Sequence, residues 1–388
     1  MRITAVRATP IAVPLRVPEV WAFGRRTGQI SVLVEVDTDE GVTGIGEAAA
    51  YPSVDVVLAA LRGLEPLVVG EDPMAVERLT KRVEVVGTWH HMRNQSPALA
   101  AVDMACWDIV GKVCSQPLST LFGGVFHDTV EFFYYVTGAE PDQLRQMAEE
   151  GTKAGFSTFY LKVGAPDPRE DLERVAAVRD GAGAAGRIRV DANEAWSPAA
   201  AIRILREMEP FGLEFAEQPV SGRNLTEMAY VRSRVDTPLL ANEASWTRFD
   251  QMETVRHAAA DAISVDNQMD GGLMNLKRSA GICEAAGLGV VKHSLGELGV
   301  ALTASLHVLS TTPNFIYANQ GYASILADDI LAEPYEHRDG RLAPPSGPGL
   351  GVSLDREKVG RYAEDYARDP AAFAFTSRAT GAAHLPRL

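Results

Sequence analysis

The sequence predicts an α/β protein: a closed (β/α) barrel preceded by an α+β domain. Three observations lead there. From about residue 128 the chain repeats one unit, a short β-branched or aromatic run followed by a stretch with apolar spacing of three and four. Eight such runs begin at 131, 158, 187, 213, 238, 262, 289 and 314, so successive runs start 24 to 29 residues apart. Strands alternating with helices imply right-handed βαβ units in a parallel sheet, and eight of them fit a closed barrel better than an open doubly wound sheet. The first run is followed by no Gly-rich phosphate fingerprint, which lowers the dinucleotide-binding alternative. Residues 1–127 have a different texture, with strands first and helices after them.

In chain order, "MRITAVRATPIAV" and "ISVLVEVDTDEGVTGIGEA" read as strands joined by a polar, aromatic-bearing loop. The second piece turns at Asp39–Glu40–Gly41 as a hairpin. The longest helix is expected from Ser96, its N-cap, through Pro97 at N1 to Lys112. In the barrel, "PDQLRQMAEEGTKAG" carries Asp142 in an acidic first turn and closes on Gly155. The last 50 residues, with "PPSGPGLGV" at 344–352, are too short to fold alone and are expected to pack back on one of the two domains.

Composition excludes several functions. Apolar content of 46% suits a globular protein, and a net charge of −14 argues against nucleic acid, which needs a basic face. An anionic substrate must then be held by local positive charge. Cys106, Cys114 and Cys283 form neither a C-x-x-C pair nor a His/Cys cluster and read as reduced thiols. The N-terminal apolar run is broken by Arg7, and no stretch reaches membrane-span length, so a cytoplasmic protein without membrane partners is expected.

Catalytic groups of a barrel sit where strands end and βα loops begin. Here six consecutive runs end in an ionisable residue: Lys162, Asp191, Glu217, Glu243, Asp266 and His293. Singly each reads as a helix cap or a solvated charge. Six in succession on one rim indicate a site. Asp191, Glu217 and Glu243 come from adjacent strands, and three carboxylates so close raise one another's pKa unless a cation neutralises them. An all-oxygen donor set suits a hard divalent ion, Mg²⁺ first. Lys162 stands on one flank and Asp266 with His293 on the other. A carboxylate beside an imidazole fixes its tautomer and raises its basicity, and a nearby cation lowers a lysine's pKa. Two such groups facing one metal-bound substrate suggest abstraction of the proton α to a carboxylate, with a metal-stabilised enediolate. Alternation places Lys162 with Tyr160, Glu217 with Phe215 and His293 with Val291, and turns Lys292 away. Glu194, close behind Asp191, has no assigned role and reads as a solvated loop charge.

These residues resemble the enolase superfamily, and within it the mandelate racemase/muconate lactonizing enzyme branch. "GVTGIGEA" at 41–48 and "ALAAVDMACWDIVGK" at 98–112 resemble its capping domain, and "GPGLGV" its C-terminal return. "LKVG", "VDAN", "EQP" and "VDNQMDGG" resemble its barrel motifs. The resemblance implies a (β/α)7β TIM-like barrel at 128–335, an α+β capping domain at 1–127, and a C-terminal segment at 336–388 packing back on the cap. It implies one Mg²⁺ per subunit held by Asp191, Glu217 and Glu243, with Asn193 as a neighbour. Lys162 becomes one base and the Asp266–His293 dyad the other, acting on a small-molecule carboxylate in a homo-oligomer.

The intervals between the six residues, 29, 26, 26, 23 and 27, resemble those of the mandelate racemase/acid-sugar dehydratase group. Three departures stand out. The family's Lys-x-Lys is Tyr160-Leu161-Lys162 here, Asn242 stands where the cycloisomerase group carries its aspartate ligand while the 26-residue interval from Glu217 points to Glu243, and the carboxylate often found at the eighth strand is Asn319. Tyr160 and Asn319 are then candidates to hydrogen-bond the substrate. Specificity is expected from residues 16–29 and 47–53, with Trp21, Phe23, Arg25, Arg26 and Tyr51 as candidate contacts, and from "WHHMRN" through His90, His91 or Arg93. The resemblance implies dehydration of a hydroxy or sugar acid first, with racemisation or epimerisation of a 2-substituted acid by the same residues as the alternative. A cycloisomerase, which would carry a lysine where Asp266 stands, and a catalytically silent binding barrel rank lower.

Overall fold

A computed structural model describes residues 1–51, 53–88, 96–138 and 140–373 and the backbone of 376–377. Two long β-branched runs, β1 (Ile3–Trp21) and β2 (Gly24–Thr38), pair antiparallel, and β3 (Thr43–Ala49) adds to β2. The turn into β3 uses Gly41 at φ +79°, a conformation open to glycine without strain. The loop expected at 16–29 is instead the continuation of this hairpin, paired up to Trp21–Gly24. Its register breaks between Pro14 and Glu19, a stretch whose Pro18 has no N–H to donate.

Helices α1 (Val54–Val68), α2 (Val76–Thr88) and α3 (Ser96–Cys114) cover the sheet. α3 begins at Ser96 itself and is buried along most of its length, lying against β3. The glycines of "GVTGIGEA" explain the fit: a Cβ at Gly44 or Gly46 would overlap the carbonyl of Ala105 or Ala101.

After a short α4 (Leu118–Leu121), the barrel follows. The first expected run divides into β4 (Val130–Glu131) and β5 (Tyr134–Val136). The units α5 (Pro141–Lys153), β6 (Thr158–Lys162), α6 (Pro168–Ala182), β7 (Arg187–Asp191), α7 (Pro198–Met208) and β8 (Leu213–Glu217) come next. Then come α8 (Leu225–Arg232), β9 (Leu239–Ala241), α9 (Arg248–Arg256), β10 (Ala262–Val265), a one-turn α10 (Asn267–Asp270), α11 (Leu273–Ala285), β11 (Gly289–Lys292) and α12 (Gly299–Ser310). Strands β5 to β11 form one parallel sheet in sequential order. The expected eighth strand, "NFIYAN", is reduced to a single bridge between Asn319 and Phe132. Side-chain bonds add to the few backbone bonds there: Asn319 Oδ1 accepts Lys292 N–H, and Nδ2 donates to the Glu131 and Tyr317 carbonyls. The curled sheet is a TIM-like barrel beneath an N-terminal capping domain.

The cap is tied down through buried groups. Glu47 accepts the N–H groups of Leu298 and Ala301, at the start of α12, and Asp103 on α3 accepts that of Leu273. The C-terminal segment returns through β12 (Arg341–Leu342), paired with β4, to α13 (Arg356–Arg368), which packs on β1 and joins Glu35 through Arg356. A last strand, β13 (Thr376–Ser377), pairs with the hairpin tip at Gly24–Arg25. All three cysteines are free. Among the described residues no helix is long and apolar enough to cross a membrane.

Candidate active site

The parallel ladder aligns the strand ends. Lys162 is the register partner of Asp191, and Asp191 of Glu217. Lys162 Nζ donates to Asp191 Oδ2 at 2.5 Å and to Asn193 Oδ1 at 2.9 Å. Tyr160, on the same face as Lys162, donates its hydroxyl to the same Asp191 oxygen at 2.5 Å. Asn193 sits at φ +44°, a turn conformation Asn tolerates, and ties three groups together. Besides receiving Lys162, it gives its N–H to Asp191 Oδ1 at 2.8 Å and its amide to Glu243 Oε1 at 2.9 Å.

Glu217 Oε1 and Glu243 Oε2 are buried with no hydrogen-bond partner. Burial, then the charge of Asp191, pushes the Glu217 carboxyl well above the ordinary carboxylate range and that of Glu243 up to about 8. For Lys162, burial disfavours the ammonium, but Asp191, Glu217 and Glu19 outweigh it and hold the pKa above the ordinary lysine value. The lowered lysine pKa expected from the sequence therefore depends on a bound cation, since the protein's own groups push the other way. Among the described residues no three Asp, Glu, His or Cys side chains surround one point closely enough to hold an ion as they stand. Two orphaned carboxylate oxygens beside a third carboxylate are nonetheless a set that a hard divalent ion fits.

Across the mouth, His293 follows β11 and its Nδ1 lies 3.2 Å from Asp266 Oδ2. Asp266 is held in turn as the N-cap of α10, accepting Gln268 N–H at 2.8 Å. Lys292 points away from the site, as strand alternation requires, and pairs with Glu297.

Lys162, Asn193, Glu243 and His293 line one cavity of about 650 Å³, and Trp21, Arg26 and Tyr51 line it from the cap. Asp191 and Glu217 lie buried and do not line it. Of the two expected arginines only one lines the cavity, and at the eighth run the lining residue is one position on from the expected one. Arg25 is exposed on the other face of the hairpin, and Arg26 faces in. Asn319 is committed to closing the barrel, and its neighbour Gln320 lines the cavity. Phe23 packs on the barrel core without lining the cavity. Glu194 is a structural group, not a solvated charge: its carboxylate accepts Gly222 N–H at 2.6 Å. His90, His91 and Arg93 lie outside the described residues.

The sequence reading missed Glu19. Its Oε1 accepts the hydroxyls of Tyr135 at 2.6 Å and Tyr322 at 3.0 Å, and its Oε2 accepts Arg26 Nε at 2.6 Å. Arg26 also donates to the Tyr322 and Tyr51 hydroxyls at 2.7 and 3.2 Å. Burial opposes the Glu19 carboxylate, but Arg26 and Lys162 keep its pKa below the ordinary value. Glu19 and Arg26 are cross-strand partners, a signal readable only once the hairpin register is known.

The sequence and the fold are similar to those of known proteins. Residues 3–123 match the mandelate racemase/muconate lactonizing enzyme N-terminal domain, and residues 143–359 match the enolase C-terminal domain-like family. The chain belongs to the mandelate racemase/muconate lactonizing enzyme family of the enolase superfamily. Within that superfamily it is 31% identical to the N-succinyl-L-Arg/Lys racemase of Bacillus cereus, over 92% of this chain and 97% of that one. It is 29% identical to the arabinonate dehydratase of Saccharolobus solfataricus, over 83% and 88%. The dipeptide epimerase of Enterococcus faecalis, solved with Mg and the dipeptide L-Leu-L-Tyr, superposes with a TM-score of 0.84 at 27% identity, covering 91% of this chain and all of that one. The protein is an enolase-superfamily enzyme, in a group whose named activities include racemases, epimerases, cycloisomerases and dehydratases.

Proposed function

We propose that the enzyme removes the proton α to the carboxylate of a small organic acid in a Mg²⁺-dependent reaction. The observation that carries this reading is that Lys162 and His293 line one cavity from strands on opposite sides of the barrel mouth, with the three carboxylates on the strands between them. Asp191, Glu217 and Glu243 would hold the ion, one per subunit. When bound, it supplies electrophilic stabilisation of the charge that develops on the substrate carboxylate.

The chain's own groups move the protons. Lys162, steadied by Asn193, serves one face of the α-carbon. His293, its Nδ1 engaged by Asp266, presents Nε2 to the other. Loss of the α-proton leaves an electron pair delocalised into the carboxylate. A proton returned from the opposite face inverts the centre. Alternatively, in a 2,3-dihydroxy acid, the β-hydroxyl leaves as water with a proton from His293, and the enol formed by the retained 2-hydroxyl tautomerises to a 2-keto acid.

Dehydration is the outcome the resemblance implies, and it needs a β-hydroxyl within reach of His293. Inversion needs none and uses the same two groups; the cap-side wall sets apolar residues, Trp21, Ile30 and Val54, beside polar ones, Arg26, Tyr51, Ser53 and Asp55. Incubation of 2-substituted and 2,3-dihydroxy acids with Mg²⁺ in deuterated buffer separates the two. Deuterium at Cα of recovered substrate supports racemisation or epimerisation, and a new keto acid supports dehydration. Neither product across the panel, with metal bound, would rule out both.

A further inference from the structure

The cavity has a wall that neither the barrel rim nor the two expected cap segments supply. Tyr366 on α13, Pro370 and Phe373 line the same space as Lys162 and His293. The Phe373 ring lies directly on Gly28 of β2, where any Cβ would overlap it. Gly28 has no left-handed φ to require glycine, so the side chain's absence is matched to the ring and not to the backbone. Gly28 and Ile30 share a face of β2, which sets Phe373 beside Ile30 on the cavity. The path to this contact is anchored at both ends. Lys358, Arg361 and Tyr362 of α13 bind Asp328, and the backbone of Thr376–Ser377 pairs with the hairpin tip.

We propose that the segment Tyr366–Phe373 is a specificity-determining wall of the active site, in which Phe373 and Ile30 form an apolar chamber for the 2-substituent of the substrate. The proposal rests on the α-proton reading, which puts the substrate carboxylate on the polar floor of Lys162, Glu243 and His293. Its substituent then faces the cap. The cation on that side, Arg26, is already matched by Glu19, so the chamber does not call for a second anionic group. The substrate class is a carboxylic acid with an apolar or aromatic side chain.

The test is calorimetric titration with Mg²⁺ present, using 3-phenyllactate as the apolar probe and tartrate as the polar one. The wild type is expected to bind 3-phenyllactate at least about ten-fold more tightly, and Phe373→Ala to weaken that probe about ten-fold while leaving tartrate within about two-fold. Gly28→Val, which displaces the ring without touching the C-terminal segment, should reproduce the loss, and Phe373→Leu should restore most of it. Equal weakening of both probes, unchanged affinity in Phe373→Ala and Gly28→Val, or no binding of 3-phenyllactate to the wild type would each overturn the proposal. Deuterium exchange at Cα of 3-phenyllactate is followed in parallel. Discrimination without exchange sinks the reaction and leaves the wall standing, and exchange without an effect of Phe373→Ala does the reverse.

Discussion

The floor and the roof of the cavity are built by different means. The floor is a row of parallel strand ends, each strand three to five residues long, with Lys162, Asp191 and Glu217 in direct register. The roof is a long hairpin that meets the barrel through the side chain of Glu19 with Tyr135 and Tyr322 and through backbone bonds of Pro14 and Arg16 to residues 325–327. Geometry fixed by a closed ladder suits groups that exchange protons at one carbon, where small misplacements matter. A roof that belongs to a different sheet can change its contacts without disturbing that ladder. The floor is therefore expected to set the reaction and the roof the substrate.

The largest effect tests the floor. Replacing Lys162 by Ala, or His293 by Asn, should lower kcat by about a thousand-fold or more, in line with the contribution of a positioned acid or base. Activity that survives both changes would remove the distinction between floor and roof. Next, Glu19→Gln strips Arg26 of its charge partner in a buried site and is expected to destabilise the fold by about 3–5 kcal/mol in urea unfolding. Combining it with Arg26→Gln should recover part of that loss, whereas full additivity would show that the two residues do not act as a pair.

A third prediction concerns the joint between cap and barrel. Burial pushes the Glu47 carboxyl from 4.5 up to about 7, despite the N–H groups of Leu298 and Ala301 and the Ser31 hydroxyl. The folded protein thus holds this proton more tightly than the unfolded chain. The resulting stability is fully present below pH 4.5 and is lost as the pH rises through about 7, a change on the order of 3 kcal/mol. Unfolding free energies of wild type and Glu47→Gln should converge or cross accordingly between pH 4.5 and 8. A constant difference over that range would mean that Glu47 titrates normally.

The same division explains what could be read from the sequence. Strand ends follow from a repeat and a period of two, so the placement of the six ionisable residues at the rim, and the outward turn of Lys292, are legible in the sequence. The roof depends on register. Both Arg25 and Arg26 are candidates from the sequence, and only the register, in which a one-residue shift turns a side chain to the opposite face, singles out Arg26, as it does Gln320 over Asn319. The eighth run forms no regular strand because the backbone of 314–319 bonds its neighbours only at its two ends, Asn314 and Asn319, where Asn319 side-chain bonds reinforce it. Phe373 meets Gly28 across most of the chain length, and no local pattern marks such a contact.

The smallest effect separates holding from reacting within the floor itself. Asn193 touches Lys162, Asp191 and Glu243, so it bridges the proposed base and two of the three proposed ligands. Asn193→Ala removes the amide from Glu243 Oε1 and the carbonyl from Lys162 but keeps the backbone N–H on Asp191. Both carboxylates retain their charge, so the ion should still bind, with affinity lowered about 10–100-fold, as is typical when a ligand loses its orienting partner. Titration calorimetry with Mg²⁺ alone measures this without any substrate. Unchanged affinity would confine Asn193 to positioning Lys162, and a matching loss of kcat with wild-type Mg²⁺ binding would then identify it as a group that orders the base and not the metal.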